Sequence, residues 1–183
     1  MSTETTTALH YNIDAAHSGV HFKVRHLMIS SVRGEFTKLS GSATIVPGHP
    51  ESSSFEATID AASISTRETD RDNHLKSPDF LDVANYPNIT FKSTRITSTG
   101  PDSYSAVGDL TIRGVTKEIT LKVEDVSPEG KDPWGLMRRG ATASTTINRK
   151  DFGVSFNMAL EAGGFVVGDD IHISIDVEVV RPA

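Results

Sequence analysis

The sequence predicts an all-β fold, an eight-stranded antiparallel barrel with a short helical crossing between early strands. Apolar and polar residues alternate with period two through most of the chain, as in strands with one face in the core and one in water. Proline- and glycine-containing breaks of hairpin scale separate these runs. One long polar segment, between Ser65 and Tyr86, lacks the alternation. Because periodicity alone does not separate a closed barrel from a sandwich of two sheets, the sandwich stays open as the alternative.

The first half of the chain contains a clear strand in which Val20, Phe22 and Val24 share one face. Their neighbours His21, Lys23 and Arg25 are polar, so we expect the apolar face to point into the core. Further strands are predicted at residues 32–36, 42–46 and 55–59.

The second half of the chain carries the longer alternating runs. Strands are predicted at residues 89–92, 104–113, 118–124, 140–148 and 170–179. Small residues share the predicted inward faces, namely Gly108, Ala141 and Ala143. Small inward side chains leave empty space, which a barrel needs if it holds a ligand.

The polar segment carries the helical signals of the chain. Ser77 is a candidate N-cap, and Pro78 would occupy the first position of a short helix that ends before Pro87. Thr66 is a second candidate cap, for one or two turns that run through Arg71. We therefore expect a short helical crossing between two strands.

Composition narrows the class of protein. With 183 residues and 37% apolar residues, the chain is long enough for one buried core. We predict a disordered N-terminal tail at residues 1–10 and one domain at residues 11–183. The formal net charge of −6 does not provide the clustered positive charge that nucleic-acid binding requires. The absence of cysteine excludes disulfides and cysteine-ligated zinc.

Targeting signals are equally sparse in the sequence. No run approaches the roughly 18 apolar residues of a membrane-spanning helix, so stable membrane insertion is not expected. The polar, acidic start lacks the basic and apolar regions of a secretory signal. A cytoplasmic location is the expectation that follows.

The polar segment also places cations next to aromatic residues. Arg67, Arg71 and His74 provide hydrogen-bond donors near Phe80 and Phe91, a pairing that suits an apolar ligand with a polar head group. These three residues are therefore the candidates for binding a head group. The alternative for Arg71 is a structural ion pair, with either Asp72 or Asp79, that fastens the crossing to the barrel.

An apolar set along the predicted strands is the candidate lining for the tail of such a ligand. Burial of hydrocarbon contributes roughly 0.8 kcal/mol per CH₂, so a long tail would dominate the affinity. The alternative is that these side chains simply form the core. The candidates are Val20, Phe22, Phe36, Phe80, Phe91, Leu110, Ile112, Phe152 and Phe156.

Two other groups of residues could suggest a nucleophilic triad or a metal site, but their spacing favours neither. Asp14, His17 and Ser18 are too close in sequence to converge as a nucleophilic triad, and the chain has no Gly-x-Ser-x-Gly elbow. On an extended strand His17 and His21 would lie roughly 13 Å apart, and His26 would point to the other face. We assign no catalytic residue, no metal site and no cofactor.

Several motifs in sequence order resemble one known family over nearly the whole chain. The N-terminal block combines Asn12, Asp14 and His17, and the crossing supplies Arg71 to Leu75 with Tyr86 and Pro87. Residues 108–117 resemble the central hairpin of the YceI-like family, and residues 148–153 and 167–169 resemble its C-terminal pieces.

This resemblance implies a lipocalin-like barrel that binds a polyisoprenoid, such as an isoprenoid quinone or a polyprenyl phosphate, in an apolar tunnel. The implied function is non-enzymatic carriage, storage or shielding of that lipid. One alternative is an enzyme that acts on a small amphiphile in the same pocket, with His74 and Asp72 as acid and base. Another is a barrel that only binds proteins, and a second copy of the chain is a further candidate partner.

Overall fold

A computed structural model describes residues 6–183, and most of the regular elements in it are strands. The strands follow the predicted alternation but most extend beyond the predicted ends. They are β1 (Leu9–Ile13), β2 (Gly19–His26), β3 (Ser30–Phe36), β4 (Leu39–Ile45), β5 (Ser54–Asp60), β6 (Ile64–Ser65), β7 (Asn88–Ser98), β8 (Tyr104–Ile112), β9 (Val115–Glu124), β10 (Gly130–Lys131), β11 (Leu136–Asn148) and β12 (Val167–Pro182).

Eight strands form a closed antiparallel ring in the order β11, β9, β8, β7, β5, β4, β1 and β12. The long β11–β12 ladder, from Leu136 opposite Pro182 to Asn148 opposite Asp170, closes the ring. β2 extends the wall beside β12, and β3 and β6 follow it. The closed ring confirms the predicted barrel and excludes the sandwich, because a sandwich would leave free sheet edges.

The register confirms which faces of the strands point inward. Val20 pairs with Ile175, and Phe22 pairs with Ile173, so the apolar residues of β2 and β12 share the inner face. The ring of Phe22 lies directly over Gly34, where a Cβ atom would approach the ring to 2.3 Å. This close approach explains why a residue without a side chain occupies position 34.

The helical crossing exists. Its helix overlaps the turns predicted through Arg71, whereas the helix predicted to begin at Ser77 is not formed. The helix α1 (Thr69–Lys76) precedes the predicted start at Ser77, which instead ends it with its N–H bonded to the His74 carbonyl. Ser77 adopts an extended conformation because the residue before a proline is disfavoured in the helical region. Glu68, not Thr66, caps the start, and its carboxylate accepts hydrogen bonds from the backbone N–H groups of Asp70 and Arg71.

The predicted boundary of the N-terminal tail lies inside a strand. β1 begins at Leu9, which pairs with Ile45 of β4, so residues 9 and 10 belong to the barrel. Pairing continues through Tyr11, which is 2% exposed and packs with Ala43 and Val179. The first five residues of the predicted tail lie outside the described residues.

Candidate functional site

The barrel contains an apolar cavity at the end that carries α1 and residues 149–166, called the helix end below. This first chamber has a volume of about 200 Å³. Its lining is apolar apart from Thr145 and Arg149. Leu75 of α1 and Leu81, which follows the helix, contribute to the lining, so the crossing forms part of the wall at this end.

A second chamber of about 340 Å³ lies towards the opposite end, called the far end, which carries residues 46–53 and 125–135. Its wall includes the small residues Ala43, Ala106, Ala141 and Ala143. Short side chains at inward positions explain the space, as the sequence predicted for Ala141 and Ala143. Both chambers share four lining residues, so they adjoin inside the barrel: Phe55, Leu121, Ile175 and Val177.

Eight of the nine residues proposed from the sequence to meet a ligand tail line the first chamber. They are Val20, Phe22, Phe36, Phe80, Phe91, Leu110, Ile112 and Phe152. Phe156 does not line it; its ring packs against Phe80 and His74 at centroid distances of 5.3 and 5.0 Å. Whether the eight residues bind a lipid stays a prediction, but their shared position supports it.

Part of the wall was not predicted from the sequence. Ile59, Ile147, Ile171 and Ile173 also line the first chamber. Each lies on the inward face of its strand, so the alternation of apolar and polar residues already predicted that these isoleucines point inward. They were left out because the candidates for the lining were mostly aromatic residues.

None of the three residues proposed to bind a head group lines either chamber. Arg71 donates through Nε to the Thr66 hydroxyl at 2.7 Å and through Nη2 to the Thr66 carbonyl at 3.0 Å. The alternative ion pair with Asp72 or Asp79 is not formed either. Arg67 is exposed and has a positive φ of 62°. Arg71 therefore fastens the crossing through Thr66.

His74 belongs to a cluster on the outside of the chamber wall. Its Nε2 lies 2.8 Å from Asp79 Oδ2, and its ring meets Phe80 edge-on at a centroid distance of 5.0 Å. Asp72, the proposed acid/base partner of His74, instead accepts hydrogen bonds from the backbone N–H and hydroxyl of Thr66, at 2.8 and 2.5 Å. Within residues 6–183, His74 and Asp72 therefore form no hydrogen bond with each other, although the enzymatic alternative requires one.

Arg149, which the sequence analysis did not select, lines the first chamber and is only 4% exposed. Its guanidinium donates to the carbonyls of Val154 and Phe156, both at 2.8 Å, and of Gly168 at 2.9 Å. Burial lowers its pKa, because desolvation disfavours the charged form. These bonds tie the segment after β11 to the start of β12 and hold the wall at the helix end.

Arg139, also missed, lines the second chamber on the inward face of β11, in line with Ala141 and Ala143. It is half-buried, and its Nε donates to the Ser127 carbonyl at 3.1 Å. Alternation along β11 would have shown that this arginine points inward, but the predicted strand began at Gly140, four residues after the observed start at Leu136.

A group of carboxylates and a histidine lies away from both chambers. Asp14, His17 and Glu178 approach one another closely enough to be considered as metal ligands. However, Nη1 of Arg138 lies between the two carboxylates, at 2.5 Å from Asp14 and 2.6 Å from Glu178. The guanidinium neutralises the site that a cation would need, and it lowers the pKa of Asp14 to about 2.

These features define a class of protein: a closed antiparallel β-barrel that encloses an apolar cavity of two adjoining chambers. Comparison with known proteins identifies the family. Residues 11–179 match the YceI-like domain, and the chain belongs to the YceI-like family.

Relatives of similar length agree with this assignment. A UPF0312 protein of Pseudomonas putida (strain W619) is 37% identical over 183 residues, which cover 99% of this chain and 91% of the relative. A UPF0312 protein of Azotobacter vinelandii is 36% identical over 176 residues, which cover 95% of this chain and 88% of the relative.

Solved structures show the same barrel. BcnA of Burkholderia cenocepacia is 25% identical, with a TM-score of 0.79 over 91% of this chain and 98% of that protein. The Campylobacter jejuni YCEI protein is 32% identical, with a TM-score of 0.72 over 93% of this chain and 96% of that protein. A polyisoprenoid-binding domain from Saccharophagus degradans, 16% identical, shares the fold with a TM-score of 0.65 over 94% of this chain and 98% of that domain. Within residues 6–183, no helix is both long and apolar enough to cross a membrane.

Proposed function

We propose that this protein binds a polyisoprenoid lipid inside the barrel, without catalysis, and so carries, stores or shields it. The single observation that carries the proposal is the pair of adjoining chambers, about 200 and 340 Å³ in volume, with a predominantly apolar wall. A slim, flexible hydrocarbon suits this shape, because the barrel is narrow and its empty space runs along its interior.

Burial of hydrocarbon supplies the affinity. At roughly 0.8 kcal/mol for each CH₂ removed from water, a few isoprene units contribute more than the polar contacts that the wall offers. The family assignment supports the proposal, and so does the name of the Saccharophagus domain, although that likeness concerns the fold alone. Isoprenoid quinones and polyprenyl phosphates are the candidate ligands, since both carry such a tail.

Catalysis is not part of the proposal because the polar groups needed for it are engaged elsewhere. His74 is bonded to Asp79 on the outer side of Phe80, and Asp72 is bonded to Thr66. Neither His74 nor Asp72 lines a chamber, so neither is placed to exchange a proton with a ligand held there.

Extraction of the natively purified protein with organic solvent, followed by mass spectrometry, tests the proposal. A co-purifying long-chain isoprenoid is the expected result. The delipidated protein should then bind isoprenoid alcohols more tightly as the tail lengthens, until both chambers are filled. Equal affinity for short and long tails would contradict the proposal. Recovery of a chemically altered ligand after incubation would favour the enzymatic alternative instead.

A further inference from the structure

The second chamber contains a positive charge that an isoprenoid tail would leave unused. Arg139 lines this chamber next to Ala141 on β11 and opposite Val179 on β12. Its one hydrogen bond to protein among residues 6–183 is Nε to the Ser127 carbonyl, at 3.1 Å. The N–H groups of both terminal nitrogens therefore have no protein acceptor in the described part of the chain.

The charges around Arg139 do not neutralise it. Glu129 is the nearby carboxylate, but both of its oxygens accept hydrogen bonds from Arg181, at 2.7 and 2.9 Å, and one also accepts from the Tyr11 hydroxyl. Arg181 and Glu129 thus form a neutral pair, and within residues 6–183 Arg139 forms no ion pair of its own. Arg139 is half-buried, and none of its unbonded nitrogens is fully buried, so its donors stay accessible to an anionic ligand.

Access to Arg139 lies at the far end of the barrel. The turn at Pro47 and Gly48 forms part of the same chamber wall. Gly48 adopts a positive φ of 76°, and a Cβ atom built there would meet no described atom within 4 Å. Pro47 and Gly48 are both exposed, so the chamber wall reaches the protein surface at this turn, and a polar group of a bound lipid could reach solvent there.

We propose that Arg139 binds the anionic head group of the lipid, a phosphate or carboxylate, at the far end of the barrel. The tail then extends past Ala143 into the first chamber, towards the helix end. This inference rests on the proposed function and adds a specificity to it: an isoprenoid with a charged head group binds more tightly than one with a neutral head group. A guanidinium suits this role, because its planar set of donors matches the oxygens of phosphate and carboxylate.

The test compares two probes with the same tail, geranylgeranyl monophosphate and the uncharged alcohol geranylgeraniol. Their affinities for the delipidated full-length chain are measured by displacement of a fluorescent isoprenoid. The phosphate should bind about tenfold or more tightly than the alcohol, as expected for hydrogen bonds to a charged group. Arg139→Met should abolish this preference, so that the phosphate and the alcohol bind with similar affinity, whereas Arg139→Lys should retain part of it.

A matched control is Arg33→Met, which removes an exposed arginine on the outer face of β3 and should retain the full preference. If Arg139→Met does not fold, Arg139→Gln gives the same comparison, because it keeps a donor for the Ser127 carbonyl and loses the charge.

The outcomes separate this inference from the function on which it rests. Binding of both probes with a preference that Arg139→Met does not change overturns the inference alone. Failure of both probes to bind overturns the proposed function as well. Displacement by inorganic phosphate alone, dependent on Arg139, would show a site for a free anion and would overturn the assignment to a lipid head group.

Discussion

Replacing Ala143 with phenylalanine should separate the two chambers and weaken the binding of long isoprenoids. Ala143 is 9% exposed, lines the second chamber and pairs with Val123 and Ile175 on neighbouring strands. Ile175 lines both chambers, so a bulky side chain at position 143 would project beside their junction. The tail of a long ligand would then have to withdraw from part of the cavity.

The magnitude follows from the length of tail displaced. At about 0.8 kcal/mol per carbon, loss of one five-carbon isoprene unit from the cavity costs up to about 4 kcal/mol, nearly a thousandfold in affinity. The protein itself should remain folded, because the new ring enters existing empty space. If that space is too small, overpacking costs about 1–3 kcal/mol of stability.

Displacement titrations with geranylgeraniol and geraniol measure the effect, because neither alcohol carries a charge. The long alcohol should bind much more weakly to Ala143→Phe, and the short one, which the first chamber can hold alone, should bind almost unchanged. Ser144→Phe is the matched control, since Ser144 is exposed on the opposite face of β11. Unchanged affinity for the long alcohol in a folded Ala143→Phe variant would refute a tail that occupies both chambers.

Three further predictions concern the barrel itself and are measured by thermal and chemical unfolding. Phe22→Asp should destabilise by about 3–5 kcal/mol through a buried unpaired charge, whereas Lys23→Asp should cost far less; equal losses would show that the strand register is wrong. Arg138 lowers the pKa of Asp14 in the folded protein from 3.8 to about 2. The Asp14 carboxylate therefore stabilises the fold at pH values above 3.8, and this stabilisation is lost as the pH falls towards 2. Asp14→Asn should therefore show a smaller decrease in melting temperature between pH 5 and 2, and an unchanged decrease would exclude this carboxylate. Glu68→Ala should cost about 1 kcal/mol as a lost helix cap; no loss would place the helix start elsewhere.

Much of the fold could be predicted from the sequence because alternation is a local property. Val20 and Phe22 need only their polar neighbours to show which way they face, and the structure places both in the cavity wall. The family motifs likewise lie in short stretches of sequence. Helix position was harder to predict, because the sequence offered Thr66 and Ser77 as caps. In the structure Glu68 caps the helix, and Ser77 ends it with its N–H bonded to the His74 carbonyl.

The polar part of the site depends on which partner each charged side chain takes, and composition does not show this. Arg71 and His74 have the composition of a head-group site, yet Thr66 and Asp79 engage them outside the chambers. Within residues 6–183 Arg139 forms no ion pair, and the nearby Glu129 is bonded to Arg181, 52 residues away in sequence, so no local pattern shows this pairing.

Membership of the family, the inward faces of the strands and the small residues between them can be read from the chain alone, because side-chain direction follows from backbone period. Three features required the folded protein: the β11–β12 ladder that closes the ring, the contact between the two chambers, and the position of Arg139 at the second chamber. Closure, empty volume and charge pairing depend on residues that are far apart in sequence and meet only when the chain folds.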